Sequence, residues 1–232
     1  LNDLEDEISH LNETLDMIFW ALEDLESDID TMWSTMNNMN DEINEMQERI
    51  DELENLTSCR LVPYSNCAGV YFGYADLSGM DLTGINFQGA DLNRADLRGT
   101  ELKYANLRDA DLGSANLADA KLNFTNLENA YLSNANLTSA YLSHADLTSA
   151  NLVYAKLSYA DFFRADLEEA DFYGANLKGT YFRDTNLRDV EMHNTYSVDA
   201  VFSEVDLRGA RIYGSDLTDA YLSNSQLTGL NF

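Results

Sequence analysis

From Leu1 to Leu53 the apolar positions recur at alternating intervals of three and four. They are Leu1, Leu4, Ile8, Leu11, Leu15, Ile18, Leu22, Leu25, Ile29, Met32, Met36, Met39, Ile43, Met46, Ile50 and Leu53. A heptad pattern of this length predicts one α-helix with a continuous apolar seam. Residues 1–56 hold neither Pro nor Gly, so the helix is expected to run unbroken for roughly 84 Å at ~1.5 Å per residue. A lone helix would leave the seam in water, and no turn signal supports an intrachain hairpin. The pattern therefore predicts a parallel coiled coil. Its flanking pairs include Glu7–Asn12, Ala21–Glu26, Glu42–Gln47 and the ion pair Arg49–Glu54, and none is like-charged. Mixed Ile, Leu and Met in the seam, widened by Phe19 and Trp33, favours a homotrimer over a dimer.

After residue 70 the period changes to five. Counting from Phe72 to Phe232 there are 33 central positions, and only Ser197 among them is polar. Two residues before most centres sits a small residue; from Ala90 to Thr185 all 20 such positions are Ala or Thr. Neither regular element explains this. Five steps move a side chain roughly 140° around a helix, and an odd period alternates the faces of a strand. A short fixed repeat instead marks a solenoid. If each five-residue unit forms one side of a coil, every central side chain can point to a shared axis, and Ala or Thr fits the crowded inner corner.

The A(D/N)LXX pattern, carried by stretches such as Ala90-Asp91-Leu92-Asn93-Arg94, resembles the pentapeptide-repeat proteins. The resemblance implies a right-handed quadrilateral β-helix with four repeats per coil and about eight coils. The expected fold class is thus α plus all-β solenoid. The expected domains are a coiled-coil stalk at 1–56, a linker and N-terminal cap at 57–71, and the β-helix at 72–232. With twenty residues per coil, one core column reads Leu82, Leu102, Leu122, Leu142, Phe162, Phe182, Phe202 and Leu222. Tyr64, Val70, Tyr71 and Phe72 are candidates to cover the first coil. Ser197 is read as a tolerated imperfection, with a bulge or a bound water as the alternatives. Leu230 and Phe232 are expected to be exposed or to lie against a partner or a further segment. A chain beginning at Leu1 is expected to be processed or a fragment.

Charge separates the two regions. The chain carries 41 acidic and 14 basic side chains, a net of −27, which argues against a nucleic-acid binder because phosphate recognition needs Lys and Arg. Residues 1–56 hold 18 Asp/Glu and one Arg, whereas residues 57–232 hold 23 Asp/Glu and 13 Lys/Arg. There are ten Arg to four Lys, and high acidity with little Lys resembles proteins of salt-loving microbes. No run of 18 apolar residues exists to insert in a membrane. Cys59 and Cys67, beside the composition break, suit either a small disulfide loop or two buried thiols.

Candidate chemistry is sparse. His10, His144 and His193 are far apart, and no outward Ser or Thr has an adjacent base, so no enzyme is expected. Residues twenty apart lie one coil apart, about 5 Å. Asp76 with Asp96, Asp91 with Asp111, and Asp146 with Asp166 are then stacked carboxylates. Salt would screen them, and Ca²⁺ or Mg²⁺ could bridge them. Outward Tyr141, Tyr181 and Tyr221 form a row suited to a partner or a sugar, and Leu230 and Phe232 extend the candidate partner surface. The expected function is a non-enzymatic structural or adhesive fibre, extracellular, on the virion or cell surface of a halophilic microbe. Its expected partners are further copies of itself and a larger surface assembly. The alternative is a DNA mimic binding a type II topoisomerase, as the resemblance implies for some family members.

Overall fold

The computed structural model describes residues 31–46 and 59–229, together with Leu15, Leu22, Leu25 and Ile29. The chain divides into two units, Leu1–Glu54 and Asn55–Phe232. In the first, every described residue is helical, and residues 31–46 form the helix α1. The described seam residues Leu15, Leu22, Leu25, Ile29, Met32, Met36, Met39, Ile43 and Met46 are all exposed, as is Trp33. The remaining seam positions Leu1, Leu4, Ile8, Leu11, Ile18, Ile50 and Leu53 lie outside the described residues.

The second unit is a four-sided coil. Parallel bridges join each residue before a repeat centre to its equivalent twenty residues on, from Asn66↔Asn86 to Asp206↔Gln226. That is 160 residues in steps of twenty, eight coils. On one side the ladder lengthens into strands β1 (Tyr181–Arg183), β2 (Val201–Ser203) and β3 (Tyr221–Ser223), parallel and in the order β1-β2-β3. The ladder starts before residue 72. Cys67 already occupies a central position, fully buried and disulfide-bonded to Cys59.

Why the chain turns every five residues follows from its donors. Between Asp91 and Ala95 every backbone N–H has an acceptor. Asp91 donates back to Val70 O (3.1 Å), Leu92 forward to Asp111 O (2.7 Å) and Arg94 forward to Gly113 O (2.9 Å), while Ala95 closes the corner on Leu92 O (3.0 Å). The fifth, Asn93 N–H, donates to Asp91 Oδ1 at 2.9 Å. The same side-chain bond recurs at Ser78, Thr148 and Tyr173. The frequent Asp or Asn before each centre thus satisfies the one donor the ladder leaves over. The corner's third residue has positive φ at every fifth position from Tyr64 to Gly229, 34 in all, of which 24 are not Gly. This is the type II turn, which demands the left-handed region there.

The core is the stack of central side chains. Phe162, Phe182 and Phe202 are layered face to face, with centroids 5.2 and 5.0 Å apart and planes within 8° of parallel. Phe172 meets Phe182 edge-on at 6.2 Å. Leu222 is in register with Phe202 but is 43% exposed against 2%, because among the described residues no coil lies over it. Inner Thr residues add cross-coil bonds: Thr125, Thr180 and Thr185 donate to the Leu102, Leu157 and Phe162 carbonyls at 2.8 Å. Ser197 is neither bulged nor stranded. Its N–H keeps the ladder bond to Asp216 O, and its buried hydroxyl pairs with Thr195 Oγ1 at 3.0 Å, which bonds Ser215 Oγ at 2.9 Å. A polar group that costs about 1–3 kcal/mol when orphaned is satisfied by its neighbours.

One expectation about the first coil is corrected. Val70 and Phe72 turn inward, but Tyr64 and Tyr71 are 74% and 64% exposed. Both fall on outward positions of the repeat. Tyr64 lays its ring over Gly84, where a Cβ would come within 2.4 Å of it. Gly84 therefore answers two demands, a φ of +66° and a close approach.

Candidate functional site

Stacking at one coil per twenty residues sorts the outer side chains into columns, three to each side of the tube, and one side gathers most of the exposed aromatic groups. The residue before each centre contributes Lys121, Tyr141, Asp161 and Tyr181 in direct register, and β1, β2 and β3 carry the register through Val201 to Tyr221. The expected tyrosine row therefore exists. Tyr141, Tyr181 and Tyr221 are exposed at two-coil intervals, with Asp161 and Val201 between them.

Beside this row runs an aromatic stack. Tyr104, Phe124 and His144 occupy equivalent left-handed corners twenty residues apart. Planar side chains held one coil apart have little choice but to layer. Tyr104 and Phe124 stack at 5.2 Å and 26°, and Phe124 and His144 at 4.7 Å and 2°. Phe163 closes the series edge-on against His144 at 5.7 Å.

Cations lie against these rings. Lys103 Nζ lies 5.0 Å from the Tyr104 centroid and 5.8 Å from that of Phe124. The guanidinium carbons of Arg164 and Arg183 lie 4.9 and 5.8 Å from the Phe163 centroid. Each such contact contributes about 0.5–1 kcal/mol at an exposed site. Lys121 is paired with Glu101, whose hydrogen bond raises the ammonium pKa, and Arg164 Nε with Asp184 at 2.7 Å. Among the described residues Lys103 and Arg183 meet no carboxylate at ion-pair distance, so their charge faces outward.

The stacked carboxylates are arranged differently. Asp76–Asp96, Asp91–Asp111 and Asp146–Asp166 are in register as expected. Each of the six turns Oδ1 to the N–H two residues on. Arg98 forks onto Asp96, at 2.8 and 2.6 Å, and holds its pKa down. Ser78 Oγ does the same for Asp76 at 2.7 Å. Asn186 Nδ2 donates to Asp166 at 2.8 Å and Thr148 Oγ1 to Asp146 at 2.7 Å. Among the described residues no group of three or more His, Cys, Asp or Glu gathers that could hold a metal ion. These carboxylates serve as local acceptors for the backbone. Leu230 and Phe232 lie outside the described residues. Among the described residues no helix is long and apolar enough to cross a membrane.

The sequence reading missed the stack because it followed only the column before each centre. The signal was present: Tyr104, Phe124 and His144 are spaced by twenty, the coil length. It missed Lys103 and Arg183 for another reason, since a free cation is defined by which carboxylates it fails to meet.

Comparison with known proteins follows the same boundaries. The profile described as pentapeptide repeats (8 copies) matches residues 65–103, 95–134, 115–152 and 130–168, and that of a pentapeptide repeat region matches 155–232. No curated protein sequence matches the chain. Among solved structures, HetL, a pentapeptide repeat protein involved in heterocyst differentiation regulation from the cyanobacterium Nostoc sp. strain PCC 7120, is 32% identical, with a TM-score of 0.53 over 73% of this chain and 80% of that one. QnrB1, a plasmid-mediated fluoroquinolone resistance protein, is 18% identical over 73% and 90% of the two chains, TM-score 0.41. A pentapeptide repeat protein of the Arabidopsis thaliana thylakoid lumen is 30% identical over 53% and 71%, TM-score 0.27. The four-sided coil is accordingly a right-handed quadrilateral β-helix. With the repeat profile continuous over residues 65–232 and the twenty-residue ladder beneath it, the chain belongs to the pentapeptide-repeat family.

Proposed function

We propose that this protein is a non-enzymatic structural or adhesive component. In this reading its N-terminal helix oligomerises, three copies being favoured, and presents rigid tubes on the surface of a virion or a cell, outside the cytoplasm. The observation that carries it is the helix seam: nine described apolar residues at three-four spacing, all exposed on the single chain. Water alone is a poor partner for such a face. Family membership supports a structural or binding role over a catalytic one.

Sedimentation equilibrium of the whole chain in molar NaCl is the test. A discrete trimer is expected, and the pair Met36→Asp with Ile43→Asp is expected to yield monomer with the tube's circular dichroism unchanged. A wild-type monomer at micromolar concentration overturns the proposal. The salt-loving origin belongs to the same proposal, and the in-register pairs of like-charged Asp support it. Thermal midpoints are expected to rise between low and molar NaCl, and an unchanged midpoint removes that part.

The topoisomerase-binding mimic is the second reading, supported by the excess of 41 acidic over 14 basic side chains. Protection of gyrase supercoiling by the purified chain would replace the fibre proposal.

A further inference from the structure

We propose that the aromatic side of the tube, from Tyr104 to Tyr181, is a binding strip for an extended glycan bearing sparse carboxylate groups. The inference deepens the adhesive reading and rests on it. In a chain of net charge −27, this side is close to neutral. Between residues 101 and 184 its outer columns hold Lys103, Lys121, Arg164 and Arg183 against Glu101, Asp161 and Asp184. The surrounding negative field reaches only about 8 Å at physiological salt, so a ligand on the strip meets mainly these groups.

The spacing of the free cations sets the ligand's charge density. Lys103 and Arg183 are eighty residues apart, four coils, or about 19 Å at ~4.8 Å per coil. A nucleic-acid strand at its duplex spacing of ~3.4 Å would place about five phosphates over that length, more charge than two free cations balance. The rings exclude base insertion as well. Their centroids are 4.7 and 5.2 Å apart, whereas a base between two rings needs about 7 Å, two contacts of ~3.5 Å. A protein partner is disfavoured by the same packing, because an anchor side chain needs a desolvated pocket and these rings already fill one another's faces.

An extended glycan has the matching features. It is linear, it repeats along its axis as the tube does, and its apolar C–H groups can lie on the exposed rings of Tyr141 and Tyr181, which among the described residues stack on no other ring. Its hydroxyls can bond the phenol tips of Tyr104, Tyr141 and Tyr181 and the Asn123 and Ser143 side chains of the same side. A carboxylate on a uronic-acid unit would reach Lys103 or Arg183, while unsubstituted units pass over the rings between.

The test uses the full chain and a hyaluronan octasaccharide, which carries a carboxylate on every second sugar, with its methyl ester as the uncharged counterpart. Single-stranded DNA and polyglutamate of equal length complete the set. Titration calorimetry is expected to show binding of the octasaccharide, at least tenfold weaker for the methyl ester, and none for DNA. Tyr141→Ala is expected to weaken binding tenfold or more, and Lys103→Gln with Arg183→Gln to abolish the preference over the ester. The circular dichroism melt of each variant reports folding. No binding of the octasaccharide, or equal binding by wild type and Tyr141→Ala, overturns the proposal, as does preferential binding of DNA or polyglutamate. Sedimentation of the same sample separates the two ideas: a trimer that fails to bind sinks the glycan strip alone, and a monomer sinks the fibre.

Discussion

Phe182 is the middle ring of a three-ring column and offers the sharpest test of how the tube is held. It is fully buried, lies between Phe162 and Phe202 at 5.2 and 5.0 Å, and receives the edge of Phe172 at 6.2 Å. Phe182→Ala removes the ring and leaves a hole that coils pinned every five residues by ladder bonds cannot close. Large-to-small changes of this kind cost about 3–5 kcal/mol, with each lost ring pair contributing about 0.5–1.5 kcal/mol of it. For a unit of this size 1 kcal/mol moves the melting temperature by about 2–4 °C, so a shift of about 8–16 °C is expected for a 4 kcal/mol loss. Phe182→Leu is the control. Leu122 and Leu142 fill the same column fully buried, so Leu at 182 is expected to cost less than about 2 kcal/mol. Urea unfolding followed at the β-sheet signal gives both numbers. If the alanine variant costs less than about 1 kcal/mol, or leucine costs as much as alanine, the axial stack is not what holds the coils together.

Leu127→Asp puts a carboxylate with no partner at a fully buried position; loss of folded protein at 25 °C is expected, read by limited proteolysis. Ser114 sits in the left-handed region at φ 57°. Ser114→Val is expected to lower stability by about 1–2 kcal/mol, and Ser114→Gly to leave it equal or higher, both from urea midpoints. The pKa values of Asp76, Asp81 and Asp216 are lowered chiefly by a side-chain hydroxyl, and those of Asp96 and Asp206 by Arg98 and Arg208. Carboxylates depressed in the folded state stabilise it above their unfolded pKa, near 3.9, and that stability is lost as pH falls through the lower folded values. Melting temperatures are expected to drop below about pH 4, less so in Asp81→Asn, which keeps the acceptor for Thr83 N–H but does not titrate.

The periodicity alone determined which side chains go inside. A central apolar residue every fifth position, with Ala or Thr two before it, has only one economical solution, and the twenty-residue register follows from four sides. Hence the Phe162, Phe182 and Phe202 stack and the tyrosine row were readable from the letters. What the letters could not settle was what each outer group meets. Asp before the centres read as stacked surface charge, yet in the coil the Oδ1 atoms of Asp and Asn there cap the one backbone donor that the ladder leaves unpaired. Ser197 read as an imperfection until winding brought Thr195 to its hydroxyl and Ser215 of the next coil to Thr195. Of the twenty-four non-glycine corners ten are Asp or Asn, which tolerate the left-handed region; at the others ladder bonds and core burial, not the residue's own preference, hold φ positive. The aromatic and cationic side is the same case: rings twenty residues apart become a stack, and Lys103 and Arg183 become free charges, only once winding has fixed their neighbours.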